Sequence, residues 1–291
     1  MISHVVEMFG PDDLYHFVIN QSQADENQSL VGYLKGLANR TQVTIIPPHD
    51  KGPVYTALQA QPLDSNEEVI VSYCDFSVDW NYRHFLDRAR RSDAAMPVFQ
   101  GVQPASFGNT YYAYVRNGGD RFLELREKQS FTSDRTKEYA SAGIYYFNSL
   151  TLFLKYAKIL VEQTCSGEAY VSLLYNLLQK DGLETALYEV DRFLCWGTPE
   201  DLEQYLLWAR YFKQSPLTDS IPAPARAKKN RINLIPMAGM GSRFREAGYR
   251  VIKPLIQVNQ KPMVINATET FPEADRWIFA VPAEPLTKPP I

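Results

Sequence analysis

Apolar residues recur along this chain in short runs that alternate with stretches of helical spacing. Residues 14–19 and 43–46 read as strands, with Leu30, Leu34 and Leu37 at helical spacing between them. The run 68–73 is nearly unbroken, as in strands buried on both faces. A helix is predicted over 82–91, then strands near 96–102, 110–116, 122–126 and 140–147. Helices over 150–163 and 169–179 and a strand over 187–190 follow. Thr198-Pro199-Glu200-Asp201 has the form of a helix start, a hydroxyl cap before a proline and two acids. Between 213 and 229 the chain turns to Pro, Ala, Ser and Lys, a linker composition, before a last apolar strand over 232–236. This alternation predicts an α/β fold with a mostly parallel twisted sheet flanked by helices.

Composition narrows the function. At 291 residues and 45% apolar content the chain can bury a full core. A formal net charge of −3 gives no reason to expect nucleic acid or an anionic membrane as a partner. The three cysteines, Cys74, Cys165 and Cys195, are odd in number and form no CxxC pair, which favours a reducing, cytoplasmic setting. No apolar run reaches membrane length, and the start lacks the basic flank and cleavage site of an export signal. The histidines (His4, His16, His49, His84) lack metal-ligand spacing.

The densest chemistry lies late in the chain, in Leu234-Ile-Pro-Met-Ala-Gly-Met-Gly-Ser-Arg-Phe-Arg-Glu-Ala-Gly248 with Lys253-Pro254-Leu255 beyond it. Ala238, Gly239, Gly241 and Ser242 would let backbone N–H groups approach an anion closely. Arg243 can fork onto phosphate oxygens, and Lys253 adds a point charge. No Gly-Lys-Ser/Thr follows, and the glycine spacing fits no dinucleotide fingerprint. The segment resembles the opening motif of the sugar-phosphate nucleotidyltransferases (NDP-sugar pyrophosphorylases). That resemblance implies a GT-A-like, Rossmann-type nucleotidyltransferase fold.

In that family the motif opens the domain, whereas here it begins near residue 231. The start of the chain offers an explanation. Residues 1–17 align without gaps on 263–279, with Met, Glu, Phe, Asp and Phe recurring at matching places, and both copies read as a helix followed by a strand. The resemblance therefore implies a body over 1–212 lacking its first strand and phosphate loop, a linker over 213–229, and the amino-terminal segment of a second copy over 230–291. Only one copy can lie beside strand 232–236. The copy at the start of the chain, continuous with the body, is expected to take that place and to leave the tail beyond 267 loosely packed. A swapped homodimer is the alternative if the linker cannot close within one chain.

The body supplies the family's other parts in order. Gly52, Pro53 and Thr56 open a helix in a stretch similar to the one that reads the nucleobase, though Gly-Pro turn chemistry alone accounts for a helix start there. Asp75, at the carboxyl end of the 68–73 strand, matches the metal aspartate that holds Mg²⁺ against the phosphates. Glu127 and Lys128 resemble the pair that holds the acceptor sugar phosphate, and Gly143 lies in a strand that would floor its pocket. Asp191-Arg-Phe-Leu-Cys195-Trp196-Gly197-Thr198-Pro199 resembles the family's closing motif with Cys195 where a second metal aspartate is expected. A thiol is a poor Mg²⁺ ligand, so Asp191 is the substitute candidate. The implied reaction transfers a nucleotidyl group from an NTP to a sugar-1-phosphate or similar phosphate monoester and releases pyrophosphate, with Arg243 and Lys253 as the catalytic cations. Two rivals stand beside it. A GT-A glycosyltransferase would place an Asp-x-Asp where Asp75 and Asp79 stand four apart, and a catalytically impaired fragment would bind nucleotide or sugar phosphate without turnover.

Overall fold

In the computed structural model, residues 1–60, 67–101, 111–165, 167–214, 231–239, 241–272 and 274–281 are described. They fall into two compact units, Met1–Arg210 and Tyr211–Ile291.

The first unit opens with α1 (Ile2–Val6), β1 (Leu14–Asn20), α2 (Gln21–Glu26), α3 (Leu30–Lys35) and β2 (Arg40–Ile46). Strands β1 and β2 pair in parallel, Leu14 opposite Arg40 through Asn20 opposite Ile46, as a two-stranded sheet of their own. Asn20 caps α2 through a reciprocal capping box with Gln23. After α4 (Pro53–Leu58) come β3 (Val69–Ser72), β4 (Phe76–Asp79), α5 (Tyr82–Ala89), β5 (Ala94–Phe99), β6 (Ala113–Gly118) and β7 (Arg121–Glu127). Then follow β8 (Tyr139–Ser141), β9 (Ile144–Phe147), α6 (Leu150–Gln163), α7 (Leu174–Lys180), β10 (Thr185–Glu189), β11 (Arg192–Cys195) and α8 (Pro199–Gln214). The sequence-predicted linker at 213–229 overlaps α8 at its first two residues, and the rest of it lies outside the described residues.

The main sheet has seven strands in the order β10-β7-β6-β8-β5-β9-β3, and a further β10–β5 pairing closes β5, β8, β6, β7 and β10 into a small ring. The expected mostly parallel sheet is corrected to a mixed one. Only β10–β5 is parallel here, while β3–β9, β5–β8, β5–β9, β6–β7, β6–β8 and β7–β10 are antiparallel. The cause is local. Gly118 and Gly119 turn β6 directly into β7, and such a short connection can join only antiparallel strands. Likewise the single strand expected over 140–147 is two, because Gly143 at φ 77° breaks it.

Two apolar clusters flank this sheet. Phe147, Phe153, Tyr156, Leu174, Tyr175 and Leu178 pack α6 and α7 on one face; Phe76, Phe85, Phe99, Tyr114, Tyr146 and Phe193 pack α5 and the β4–β11 pair on the other. Interiors of this density anchor strand ends firmly, and the candidate residues are on those ends. No described helix is long and apolar enough to cross a membrane.

The second unit contains β12 (Ile232–Pro236), α9 (Ser242–Glu246), the hairpin strands β13 (Gln257–Val258) and β14 (Lys261–Pro262), α10 (Met263–Glu269) and β15 (Arg276–Ala280). Here β12 pairs in parallel with β15, Ile232 opposite Arg276 through Pro236 opposite Ala280. The expectation that the copy at the start of the chain would lie beside β12 is thus corrected: within this chain the nearby copy holds that place. A strand some forty residues away closes a shorter loop than one more than two hundred away, at lower entropic cost.

Candidate functional site

In the body, the candidate residues gather around the end of β3. Asp75 follows that strand, and its backbone carbonyl accepts the Trp196 N–H at 2.7 Å. A Cβ at Gly197 would stand 2.8 Å from the Asp75 carboxylate, so the glycine backbone lies close against the acid. Burial pushes the Asp75 carboxyl above its usual range. Gly143 packs as closely on the other side: its carbonyl accepts the Tyr73 N–H at 3.1 Å, and a Cβ there would be 2.9 Å from the Phe76 ring.

Glu127 ends β7, and Lys128 follows with a left-handed φ of 54°. The Ser172 hydroxyl donates to Glu127 at 2.5 Å, while burial raises the carboxyl and outweighs that bond. Lys128 donates to the Tyr170 hydroxyl at 2.7 Å and lies 4.9 Å from the centre of that ring. Beneath them Tyr73 and Tyr145 meet edge to face at 5.6 Å, and Ser141 donates to the Tyr145 hydroxyl. Burial raises both phenols, and the Glu127 carboxylate adds to the effect.

The candidate base loop is tied to the same strip of chain. Ala169 N–H donates to the Lys51 carbonyl at 3.1 Å, and Val54 N–H donates to the Ala169 carbonyl at 3.0 Å. Gly52 sits between them at φ 87°, where a Cβ would be 2.6 Å from the Ala169 nitrogen. Pro53 follows as the first residue of α4. His49 Nδ1 accepts the Lys51 N–H at 3.2 Å, so its Nε2 carries the proton and faces Thr56 Oγ1 at 3.0 Å. The Thr56 hydroxyl in turn lies 3.3 Å from the Gly52 carbonyl.

Segment 168–172 therefore braces the candidate base loop through Ala169, Lys128 through Tyr170 and Glu127 through Ser172. Sequence reasoning placed 169–179 in one helix and missed this role. In the structure Ala169 is outside any helix, Tyr170 is extended, and a 3-10 turn, Val171–Leu173, precedes α7. No local sequence signal marks the strip, because its work consists of contacts with residues about forty and about a hundred and twenty positions away.

Asp191 does not join the group. Its N–H donates to the Asp79 carbonyl at 3.0 Å, and the β4–β11 ladder runs from Arg192 opposite Asp79 to Cys195 opposite Phe76. At ~3.3 Å per residue that puts about 13 Å of strand between Asp191 and Asp75. The substitute-ligand expectation thus finds Asp191 at the far end of the ladder; the residue bonded to Asp75 is Trp196, and Cys195 precedes it, opposite Phe76. Burial raises the Cys195 thiol, leaving it a neutral, soft and poor donor for a hard cation. Among the described residues no three His, Cys, Asp or Glu side chains gather as a metal site. Magnesium can nevertheless be held by one carboxylate with substrate and water oxygens completing the octahedron, and that is the arrangement Asp75 would suit. A groove of about 510 Å³ between Arg88, Arg121 and Glu184 lies at the other end of β7 and contains none of these residues.

The second unit contains the candidate phosphate loop. Ala238 and Gly239 follow β12, and Gly241 caps α9 at φ 58°. A Cβ on Gly241 would come within 3.2 Å of Lys253 Cβ, so glycine is what allows the lysine to lie against the loop. Lys253 Nζ is 5.6 Å from the centre of the Phe244 ring. Ser242 and Arg243, the first residues of α9, are exposed. The motif's Met240 lies outside the described residues.

No family model and no curated protein sequence matches the chain. Solved structures do. A nucleoside-diphosphate-sugar pyrophosphorylase from Vibrio cholerae RC9 superposes with a TM-score of 0.57 at 17% identity, over 71% of this chain and 85% of that one. A putative glucose-1-phosphate thymidylyltransferase from Bacillus anthracis, in complex with a sucrose, gives 0.51 at 14% identity, over 67% and 75%. At such identities the likeness is one of architecture: the chain has a mixed α/β fold similar to that of the sugar nucleotidyltransferases.

Proposed function

We propose that the protein is a nucleotidyltransferase that joins an NTP to a sugar-1-phosphate or similar phosphate monoester, making an activated sugar for polysaccharide or glycoconjugate synthesis. The observation that carries this reading is the strip 168–172, which braces the candidate base loop and the candidate acceptor pair at once. A site for one substrate has no need of that link; a site that must hold two substrates in line does.

An acceptor phosphate oxygen attacks the α-phosphorus, and the bond to the β,γ-pyrophosphate breaks. Backbone N–H groups from Ala238 to Ser242, with Arg243 and Lys253, hold the triphosphate and offset charge on the departing pyrophosphate. Gly52, Pro53 and Thr56 border the base. Glu127, one oxygen held by Ser172, offers the other to a sugar hydroxyl, while Lys128 meets the acceptor phosphate. Mg²⁺, when bound at Asp75, would neutralise charge on the triphosphate oxygens. The reading requires the phosphate loop to meet the body's half of the site, within one chain or in a swapped homodimer.

Incubation with each of the four common NTPs, a panel of sugar-1-phosphates and Mg²⁺ should release pyrophosphate. Free nucleoside diphosphate from an activated sugar donor would instead show glycosyl transfer. Cys195, a thiol where the resemblance implies a second metal aspartate, favours one second reading, binding without turnover. Saturable sugar-phosphate binding with no pyrophosphate from any pair would establish it.

A further inference from the structure

Strand β1 pairs with β2 along one edge, and its other edge is unpaired among the described residues. Such an edge is a template for another strand. The chain itself states which strand fits. Residues 1–17 and 263–279 correspond at an offset of 262 (263 − 1), so β15 is the counterpart of β1. Strand β15 pairs in parallel with β12, Ile232 opposite Arg276 and Ile235 opposite Phe279. Carried across the offset, Ile232 belongs opposite Leu14 (276 − 262) and Ile235 opposite Phe17 (279 − 262).

We propose that β12 of one copy lies along the free edge of β1 in a second copy, displacing its own β15, so that two chains exchange these segments and close as a dimer. The exchange is nearly neutral for the main chain, since one parallel ladder replaces another of the same register. Side chains decide the balance. All five residues of β15 are exposed, among them Ile278 and Phe279 at 46% and 44%, and α10 buries none of its residues. An isolated two-stranded sheet is marginal in water. By contrast, six of the seven residues of β1 are already half-buried on the body. A strand arriving there gains a packed neighbour in place of a solvated one. The partner is a second copy because the segment recognised is the chain's own repeated helix and strand. Each copy gives one β12 and receives one, so the exchange uses up both surfaces and does not propagate. If the functional reading above holds, Arg243 and Lys253 of one copy serve Asp75 and Glu127 of the other.

The test needs no turnover, so its failure and that of the functional reading are distinguishable. Full-length Leu14→Cys and Ile232→Cys chains are mixed under mild oxidation and run without reductant, beside the unsubstituted chain as background. Both positions are solvent-accessible, at 43% and 53%, and paired strands fall within disulfide reach. A covalent dimer of the two variants, lost on reduction and at least tenfold stronger than with Leu14→Cys plus Leu234→Cys, is expected. Equal yield from the shifted pair, or none from either, overturns the proposal. So does a disulfide within one chain when both substitutions are combined, because β12 would then close on its own β1. Light scattering of the unsubstituted chain supplies the measurement that no variant can spoil: a dimer supports the exchange, and a monomer at the highest soluble concentration refutes it.

Discussion

Gly52→Ala should be among the most damaging single substitutions in the body, for reasons that can be summed. At φ 87° and ψ 176° the residue occupies backbone space that is essentially glycine-only, costing a side-chain-bearing residue about 1–3 kcal/mol. The new Cβ would stand 2.6 Å from the Ala169 nitrogen and 3.0 Å from its oxygen. Those are backbone atoms and cannot swing aside. Relief comes only by separating the two segments, which breaks Ala169 N–H to Lys51 and Val54 N–H to Ala169. Each such bond contributes about 0.5–1.5 kcal/mol. The total is about 2–6 kcal/mol, a large share of the ~5–15 kcal/mol that holds a domain folded. Gly119→Ala is the control: φ is also positive, at 66°, but nothing lies within 4 Å of the added Cβ, so only a backbone cost of about 1–2 kcal/mol remains. Urea unfolding followed by far-UV circular dichroism should place the Gly52→Ala midpoint well below that of Gly119→Ala. Coincident midpoints would refute the argument that the Lys51–Ala169 clasp braces the site.

Further predictions concern the chemistry. Arg243→Ala and Lys253→Ala should each lower pyrophosphate release about a hundredfold, the effect of losing ~3 kcal/mol of transition-state stabilisation, with an unchanged circular-dichroism spectrum; wild-type turnover in either would remove that residue from the role. Asp75 and Glu127 both have carboxyls raised by burial. Their contribution to stability is fully present below the ordinary carboxylate pKa and is lost as pH rises through the raised values. Asp75→Asn with Glu127→Gln should therefore flatten the fall in melting temperature from mildly acid to neutral pH, and an unaltered slope would count against burial as the cause. Ser172→Ala removes the bond that holds Glu127 down, so the acidic limb of the pH–activity profile should move to higher pH and KM for the acceptor should rise about fivefold, ~1 kcal/mol. Ser172→Thr should restore both if the role is positioning.

What was legible in the sequence follows from how local each feature is. The Gly241 and Lys253 contact was foreshadowed by a motif in which every participant lies within some fifteen residues, and Asp75 was marked by the strand it ends. The mixed sheet was not legible, because apolar runs reveal strands but not the direction in which distant ones pair, as β3 with β9 or β8 with β5. Residues 169–172 read as the start of a helix because their apolar spacing suits one. Their actual form is set by Lys51, Val54, Glu127 and Lys128, none of which lies nearby in sequence. The pairing of β12 teaches the same point from the other side. Both copies read as the same helix–strand pattern, so pattern alone does not choose between them. Loop closure breaks the tie inside a single chain, in favour of β15. A second copy removes that advantage, because at high concentration the distant strand no longer has to be reached through the chain's own length. Under the proposed exchange, which strand lies beside β12 would depend on protein concentration as well as on sequence.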